Sequence, residues 1–486
     1  MTHASRPVNS RRDFLFRTGA GFGGIALTGL MAEAARADGA KARPIIDPTR
    51  PLAARPPHFA PKAKRVIFLF MYGSPSQVDT FDYKPDLLRL DGKPVPDSFK
   101  KADKVGGVFN ACKDELMAGP WKWKRHGEGG LWVSDLLPET AKVADHLCVI
   151  KSMVSESSNH APAAYQMNTG VTISGKPSMG SWITYGLGSE NENLPGYVLL
   201  YKVAGMGGSA NWGNGFLPAA FQGTPFRHEG APVLDLQPPS DLAETQRSTL
   251  DLIQSLNRQH RAARPSGPLD LDGRIASYEL AYRMQSEALD VGDLGHESAE
   301  TLALYGLDSD NKDMALFGRM CLLSRRLAEK GVRFVQIYNS VDKLGWDGHD
   351  DNTGNHKRNA SQTDRPIAGL LTDLKRRGLL DETLVVWAGE FGRTPMVQGN
   401  RGRNHNPYGF TVWMAGGGVK GGVSVGETDA IGLRAERSPF AVKDLHATIL
   451  TAMGLHSEEL SFEHDGRPER LTGVAGSAKV IPGVLG

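Results

Sequence analysis

Three short stretches of the sequence gather the side chains that can do chemistry. NSVDKLGWDGHDDNTGNHKRN places Asp347, His349, Asp350, Asp351, Asn352 and His356 in one glycine-containing segment. Carboxylates and imidazoles this dense are costly to bring together unless an ion compensates them, and together they are a donor set for a divalent cation; the alternative is a solvated acidic loop. GEFGRTPMVQGNRGRNHNPYGF then brings Glu390, Arg393, Arg403, His405 and Asn406 into one loop punctuated by glycine and proline. A guanidinium is the planar donor suited to the oxygens of a sulfate or phosphate, and Glu390 and His405 are further ligand types. In SESSNHAPAAYQMNTGV, His160 precedes an amphipathic segment and so falls at a helix N-terminus, where free N–H groups and the helix dipole favour an anion. Asp79 and Asp82 are either carboxylate ligands or caps. Ser76 has no visible base partner and reads as a turn residue.

These stretches need a scaffold that delivers them to one place. Short apolar runs predict buried strands at Arg65–Phe70, Leu147–Met153, Gly196–Tyr201, Val332–Tyr338, Leu384–Ala388 and Phe410–Ala415. Helical periodicity predicts helices over Val133–Asp145, Ser248–Arg264, Gly273–Asp290, Asp313–Lys330, Asp364–Arg377 and Asp444–Met453. Gly106–Gly130 shows no period and reads as loop. The alternation of strand and helix predicts an α/β fold, a mostly parallel central sheet with helices on both faces. In such sheets ligands gather at the carboxyl ends of the strands, where the 340s and the 390–406 stretch stand. Residues of about 203–310 read as a polar, partly helical insertion serving as a cap.

The chain has 486 residues and 57 glycines, about 12% against a usual ~7%, so many turns and long connections are expected. Residues 1–37 carry paired Arg11 and Arg12, a short glycine-rich apolar core and Ala35-Arg36-Ala37. They resemble a twin-arginine export signal, which implies an exported protein of the periplasm or cell surface. Five arginines against Asp13 and Glu33 in this leader contribute +3, so the formal total of +2 falls to −1 in the mature chain. That balance gives no general attraction to nucleic acid. No run in the mature chain is long enough to span a membrane. Residues 38–64 read as an extended arm and 65–486 as a single domain carrying the insertion. Cys112, Cys148 and Cys321 show neither metal spacing nor an even count, which argues against a disulfide framework.

The leader, FLFMYGSPSQVDTFDYKP, WDGH, GEFGRTP, GRNHNPYGF, GGGVKGG and DLHATILTAMGL together resemble a family of exported bacterial proteins of unknown function, abundant in planctomycetes and related to sulfatases and alkaline phosphatases. The resemblance covers nearly the whole mature chain and implies an alkaline-phosphatase-like fold. HAPAAYQMNTG is similar to the sulfatase nucleophile motif in the spacing of Pro162, Thr169 and Gly170, but His160 stands at the nucleophile position and Ala163 and Ala164 replace Ser and Arg. The first strand lacks the adjacent aspartates of sulfatases. Glu390 resembles the surviving carboxylate of their Asp-His-Gly motif, and His405 their later histidine.

Two functions follow. The first is a hydrolase of sulfate or phosphate esters, with a divalent ion (Ca, Zn or Mg) held by some of Asp79, Asp347, His349, Glu390 and His405, with Arg393 and Arg403 on the oxyanion, and with His160 as nucleophile or general acid and base. Its substrate would be a sulfated or phosphorylated small molecule or polysaccharide. The second is a catalytically inactive protein that uses the same pocket for an anionic glycan or a partner.

Overall fold

The computed structural model describes residues 44–47, 50–100, 111–233, 236–238, 244–263, 269–339 and 344–486. The expected leader lies outside them. The principal strands are β1 (Arg65–Phe70), β2 (Trp123–His126), β3 (Leu131–Ser134), β4 (Leu147–Val154), β5 (Tyr197–Leu200), β6 (Thr224–Phe226), β7 (Phe334–Tyr338), β8 (Thr383–Ala388), β9 (Gly392–Gln398), β10 (Gly402–Asn406), β11 (Phe410–Ala415) and β12 (Val423–Val425). The principal helices are α1 (His160–Thr169), α2 (Met179–Leu187), α3 (Gln246–Ala262), α4 (Leu269–Gly292), α5 (Lys312–Glu329), α6 (Asn352–Arg376) and α7 (Val442–Ala452).

All six residues of β1, RVIFLF, are buried. Ile67 and Leu69 enter one apolar cluster, while Val66, Phe68 and Phe70 enter another on the opposite face. A strand buried on both faces has no polar side to alternate with, hence its unbroken apolar run. It pairs in parallel with β7 and β8 at the middle of a nine-stranded sheet of order β12-β4-β11-β8-β1-β7-β5-β6, with Phe440–Ala441 added beside β4. Only β11 runs against its neighbours, β4 and β8. Met284, Phe317, Leu323 and Leu370 bring α4, α5 and α6 onto the first face. Met167, Trp182 and Ile449 bring α1, α2 and α7 onto the second. The fold is the expected α/β arrangement, a mostly parallel sheet with helices on both faces.

Several local expectations are revised. Val133–Asp145 is no α-helix: β3 pairs with β2 in a hairpin, and the Asp364 carboxylate takes the N–H groups of Glu139 and Thr140 at 2.7 and 2.8 Å at the start of a 3-10 stretch, Thr140–His146, that is kinked at Val143. That hairpin also gives strand structure to part of the segment read as loop. The helix expected from Asp364 starts twelve residues earlier, because the Asp351 carboxylate accepts the Gly354 N–H at 2.8 Å and caps it; Asn352 and His356 therefore sit on helix, not loop. Within the stretch read as an insertion, β6 extends the sheet from β5. No helix among the described residues is long and apolar enough to cross a membrane. Cys112, Cys148 and Cys321 are free, and Cys148 and Cys321 are buried.

Helix α1 carries His160 into the site, and its C-terminal end is fixed twice. Gly170 closes it with φ +85°, where a Cβ would come 2.1 Å from the Leu471 carbonyl oxygen. His446 of α7 donates from Nε2 to the Met167 carbonyl at 2.8 Å, one of the acceptors a helix end leaves without an internal partner. Burial pushes His446 down to about 4, against a smaller upward effect of that hydrogen bond. The unfolded chain binds this proton near pH 6.5, so the stabilising share of neutral His446 is complete above pH 6.5 and lost as the pH falls towards 4. We expect His446→Gln, which keeps a donor for Met167, to flatten the fall in stability between pH 6.5 and 4 by roughly 1–3 kcal/mol relative to the unmodified protein. Denaturant midpoints across that range measure it, and parallel pH profiles would contradict it.

Candidate metal centre

The site is built from the ends of β1 and β8. Directly past β1 the backbone turns through two left-handed residues, Gly73 (φ 88°) and Ser74 (φ 69°). A Cβ on Gly73 would come 2.4 Å from the Leu344 carbonyl oxygen, so glycine is required there. Ser74 is a strained non-glycine, of the kind that clusters at functional sites. The turn points the Gly73 N–H at Glu390 Oε1, 3.0 Å away, and Ser74 Oγ accepts the Phe391 N–H at 3.2 Å. Glu390 is thereby fixed just beyond β8.

His160, Asp347, His349 and His405 each offer a ligand atom, all within 4.8 Å of one another. His349 Nε2 is 2.9 Å from Asp347 Oδ1 and 2.9 Å from His405 Nε2. His405 Nε2 is 3.2 Å from Asp347 Oδ1, and His160 Nε2 is 3.2 Å from Asp347 Oδ2 without a hydrogen-bonding alignment. Each ring is held from its other nitrogen. His160 Nδ1 donates to Glu390 Oε1 at 2.6 Å, His405 Nδ1 to the Ser158 carbonyl at 2.6 Å, and His349 Nδ1 to Gln398 Oε1. With the Nδ1 protons so placed, three Nε2 lone pairs converge on one carboxylate. Four atoms around an ion with bonds of ~2.0–2.1 Å stand about 3.3 Å apart in a tetrahedron, close to the spacings seen. The residues present fit a metal ion.

The electrostatics agree. Burial disfavours charge on His160, yet the Asp347 and Glu390 carboxylates overcome it and push its pKa up to about 9. Burial also opposes charge on Asp347, but His160, His349, His405 and Arg393 hold it well below the usual carboxylate range. His405 is pushed down to about 4 by burial and by Arg393. The side chains of His160, Asp347 and His405 are 5%, 10% and 15% exposed, whereas that of His349 is 38% exposed, so the cluster opens towards solvent on the His349 side.

The other expected residues surround this cluster. Asp79 stands outside it: Arg403 Nε donates to its Oδ2 at 2.8 Å, Asn352 Nδ2 at 3.0 Å, and Trp121 Nε1 reaches Oδ1 at 3.1 Å. Asp79 is committed to these donors and is not one of the four clustered residues. Arg403, fully buried, also donates to the carbonyls of Thr394 and Met117 at 3.0 and 2.9 Å. Arg393 donates to the carbonyls of Ser74 and Gly73 and lies 2.6 Å from Asp347 Oδ1. Glu390 orients His160 and keeps Oε2 buried and unpartnered. Asp82 accepts from Thr428, Asp350 from the Asn400 N–H, and His356 Nε2 from the Ser76 N–H at 2.8 Å. Burial pushes His356 down to about 4.

The 390–406 stretch, expected as a loop, is an antiparallel β9–β10 hairpin. Glycine, proline and arginine hid it; Pro395 sits on a short two-stranded ribbon where a missing N–H is tolerated. Sequence reading also missed Gln398 and Ser158, whose acceptor roles leave no local signal. Gly402, within Arg401-Gly402-Arg403, is required by the fold: a Cβ there would come 1.8 Å from the His349 carbonyl oxygen.

The family model described as "Protein of unknown function (DUF1501)" matches residues 63–485. The chain belongs to that family. Among curated proteins none matches in sequence. Solved structures found to be similar include the lipoteichoic acid synthase LtaP from Listeria monocytogenes, at 9% identity and TM-score 0.34 over 88% of this chain and 79% of that one. A phosphonate monoester hydrolase from Silicibacter pomeroyi is similar at 14% identity and TM-score 0.35 over 85% and 77%. The PsFucS1 sulfatase from Pseudoalteromonas sp. is similar at 12% identity and TM-score 0.33 over 82% and 68%. Likeness at this level assigns no residue a role.

The Asp79–Arg403 pair is fully buried on both sides, and removing one partner of such a pair typically costs about 3–5 kcal/mol because the other charge is left unpaired. We expect Arg403→Met to lower unfolding free energy by about that amount and Asp79→Asn combined with Arg403→Met to recover part of it. Denaturant unfolding of the three proteins checks this, and a stable Arg403→Met protein would refute it.

Proposed function

We propose that the chain is an exported, metal-assisted hydrolase of sulfate or phosphate esters, and that His160, Asp347, His349 and His405 hold its ion. The observation that carries the reading is the convergence of three imidazole Nε2 atoms on one buried carboxylate, each ring tied from behind. Three nitrogens and one carboxylate suit a zinc-type ion, whereas calcium and magnesium prefer shells of oxygen. Bound there, such an ion supplies Lewis-acid polarisation of an ester oxygen.

The chain's own groups then have distinct tasks. Glu390, Gln398 and the Ser158 carbonyl fix tautomer and ring orientation. Arg393 offsets the negative charge of Asp347. Arg403 and Asp79 hold the hairpin that presents His405. His160, with both ring nitrogens directed at carboxylates, serves as a ligand and not as nucleophile. Substrate enters on the His349 side, where a sulfated or phosphorylated small molecule or the exposed ester of a polysaccharide has access. The twin-arginine-like leader supports export to the periplasm or cell surface, and the sequence resemblance to sulfatases and alkaline phosphatases supports the ester class. The engagement of both guanidiniums favours a second reading, an inactive binding protein built on the same centre.

Elemental analysis of the purified chain should find about one zinc-type ion per molecule, with Glu390→Gln weakening its affinity roughly 10- to 100-fold and His405→Ala more. Aryl sulfates and phosphates should turn over only in the loaded protein. Metal content unchanged in His160→Ala would overturn the ligand assignment. A loaded protein that binds sulfate or phosphate without turnover would establish the second reading.

A further inference from the structure

Tyr72 lies just past β1, on the face shared with Phe70 and α1. It is 1% exposed, and although its oxygen faces the Met206 backbone N–H, its buried O–H has no acceptor among the described residues. Buried tyrosine hydroxyls ordinarily find a partner, and leaving one unpaired costs free energy. The ring has no room to turn away. It lies 5.6 Å from the His160 ring, and on Gly205, itself at φ +55°, a Cβ would come 3.0 Å from it. Two further buried atoms in this neighbourhood lack a hydrogen bond, Glu390 Oε2 and His160 Nε2. Meanwhile Arg393 and Arg403, the expected anion holders, are directed to carbonyls and carboxylates.

We infer that the Tyr72 hydroxyl is the donor that grips a non-bridging oxygen of the sulfate or phosphate group beside the metal centre. This rests on the ester-hydrolase reading. A tyrosine is protonated and neutral at pH 7, so it can donate to an anion without adding a charge to a cluster already crowded with them. Its hydrogen bond to a charged oxygen would supply the acceptor that the fold withholds.

The test uses the full-length chain loaded with zinc and inorganic phosphate as the probe, comparing Tyr72→Phe with the unmodified protein by calorimetric titration and thermal unfolding. We expect unchanged zinc content, a phosphate-free Tm equal to or above that of the unmodified protein, and phosphate affinity weakened roughly tenfold. The Tm readout is one that a structural hydroxyl would move downwards, so a fall of several degrees would mean that Tyr72 bonds within the protein and would overturn the inference. Equal phosphate affinity in the two proteins would overturn it while leaving the ester-hydrolase reading intact. Zinc binding without phosphate binding in the unmodified protein would overturn both.

Discussion

Three imidazoles aimed at one buried carboxylate form an arrangement that repels itself. With their Nδ1 protons committed to Glu390, Gln398 and Ser158, the Nε2 atoms of His349 and His405, and that of His160 whenever its ring is neutral, bring lone pairs towards Asp347. Without an ion, a proton on His160 relieves the crowding, which is why its pKa is pushed up to about 9 despite burial. A divalent cation relieves it more fully, because one positive centre can meet all four donor atoms at once.

The surrounding structure keeps these groups from moving apart. The left-handed Gly73–Ser74 turn sets Glu390 behind His160. The hairpin is sewn to the Asp347–Asn352 stretch by backbone hydrogen bonds from Arg401 to Asp350, from Arg403 to Gly348 and from Asn352 to Arg401. Gly402 permits the two backbones to meet. Beneath them the Asp79–Arg403 pair and its ring of carbonyl acceptors anchor the hairpin in the protein interior. Four segments distant in sequence thus present one shell, from the carboxyl ends of parallel strands.

Much of this was legible in the residues. The six buried strands read directly from their apolar runs, since a doubly covered strand has no competing period. Asp347, His349, Glu390 and His405 drew notice through density and type alone. What sequence could not show was the division of labour. On paper Asp79 is a carboxylate ligand and His160 a nucleophile or general acid and base; only the position of Arg403 commits the first to an ion pair, and only Glu390 turns the second into the cluster. The two arginines looked like anion holders because nothing local reveals that backbone carbonyls will take their N–H groups. The start of α6 was missed because its first turns are polar, so the capping Asp351 marked it where hydrophobic period did not.

X-ray absorption at the metal edge of the zinc-loaded chain tests the composition of the shell most directly. Three imidazole nitrogens and one carboxylate oxygen are expected at about 2.0–2.2 Å. A shell made only of oxygens, or an unchanged spectrum when His405 is replaced by alanine, would contradict it.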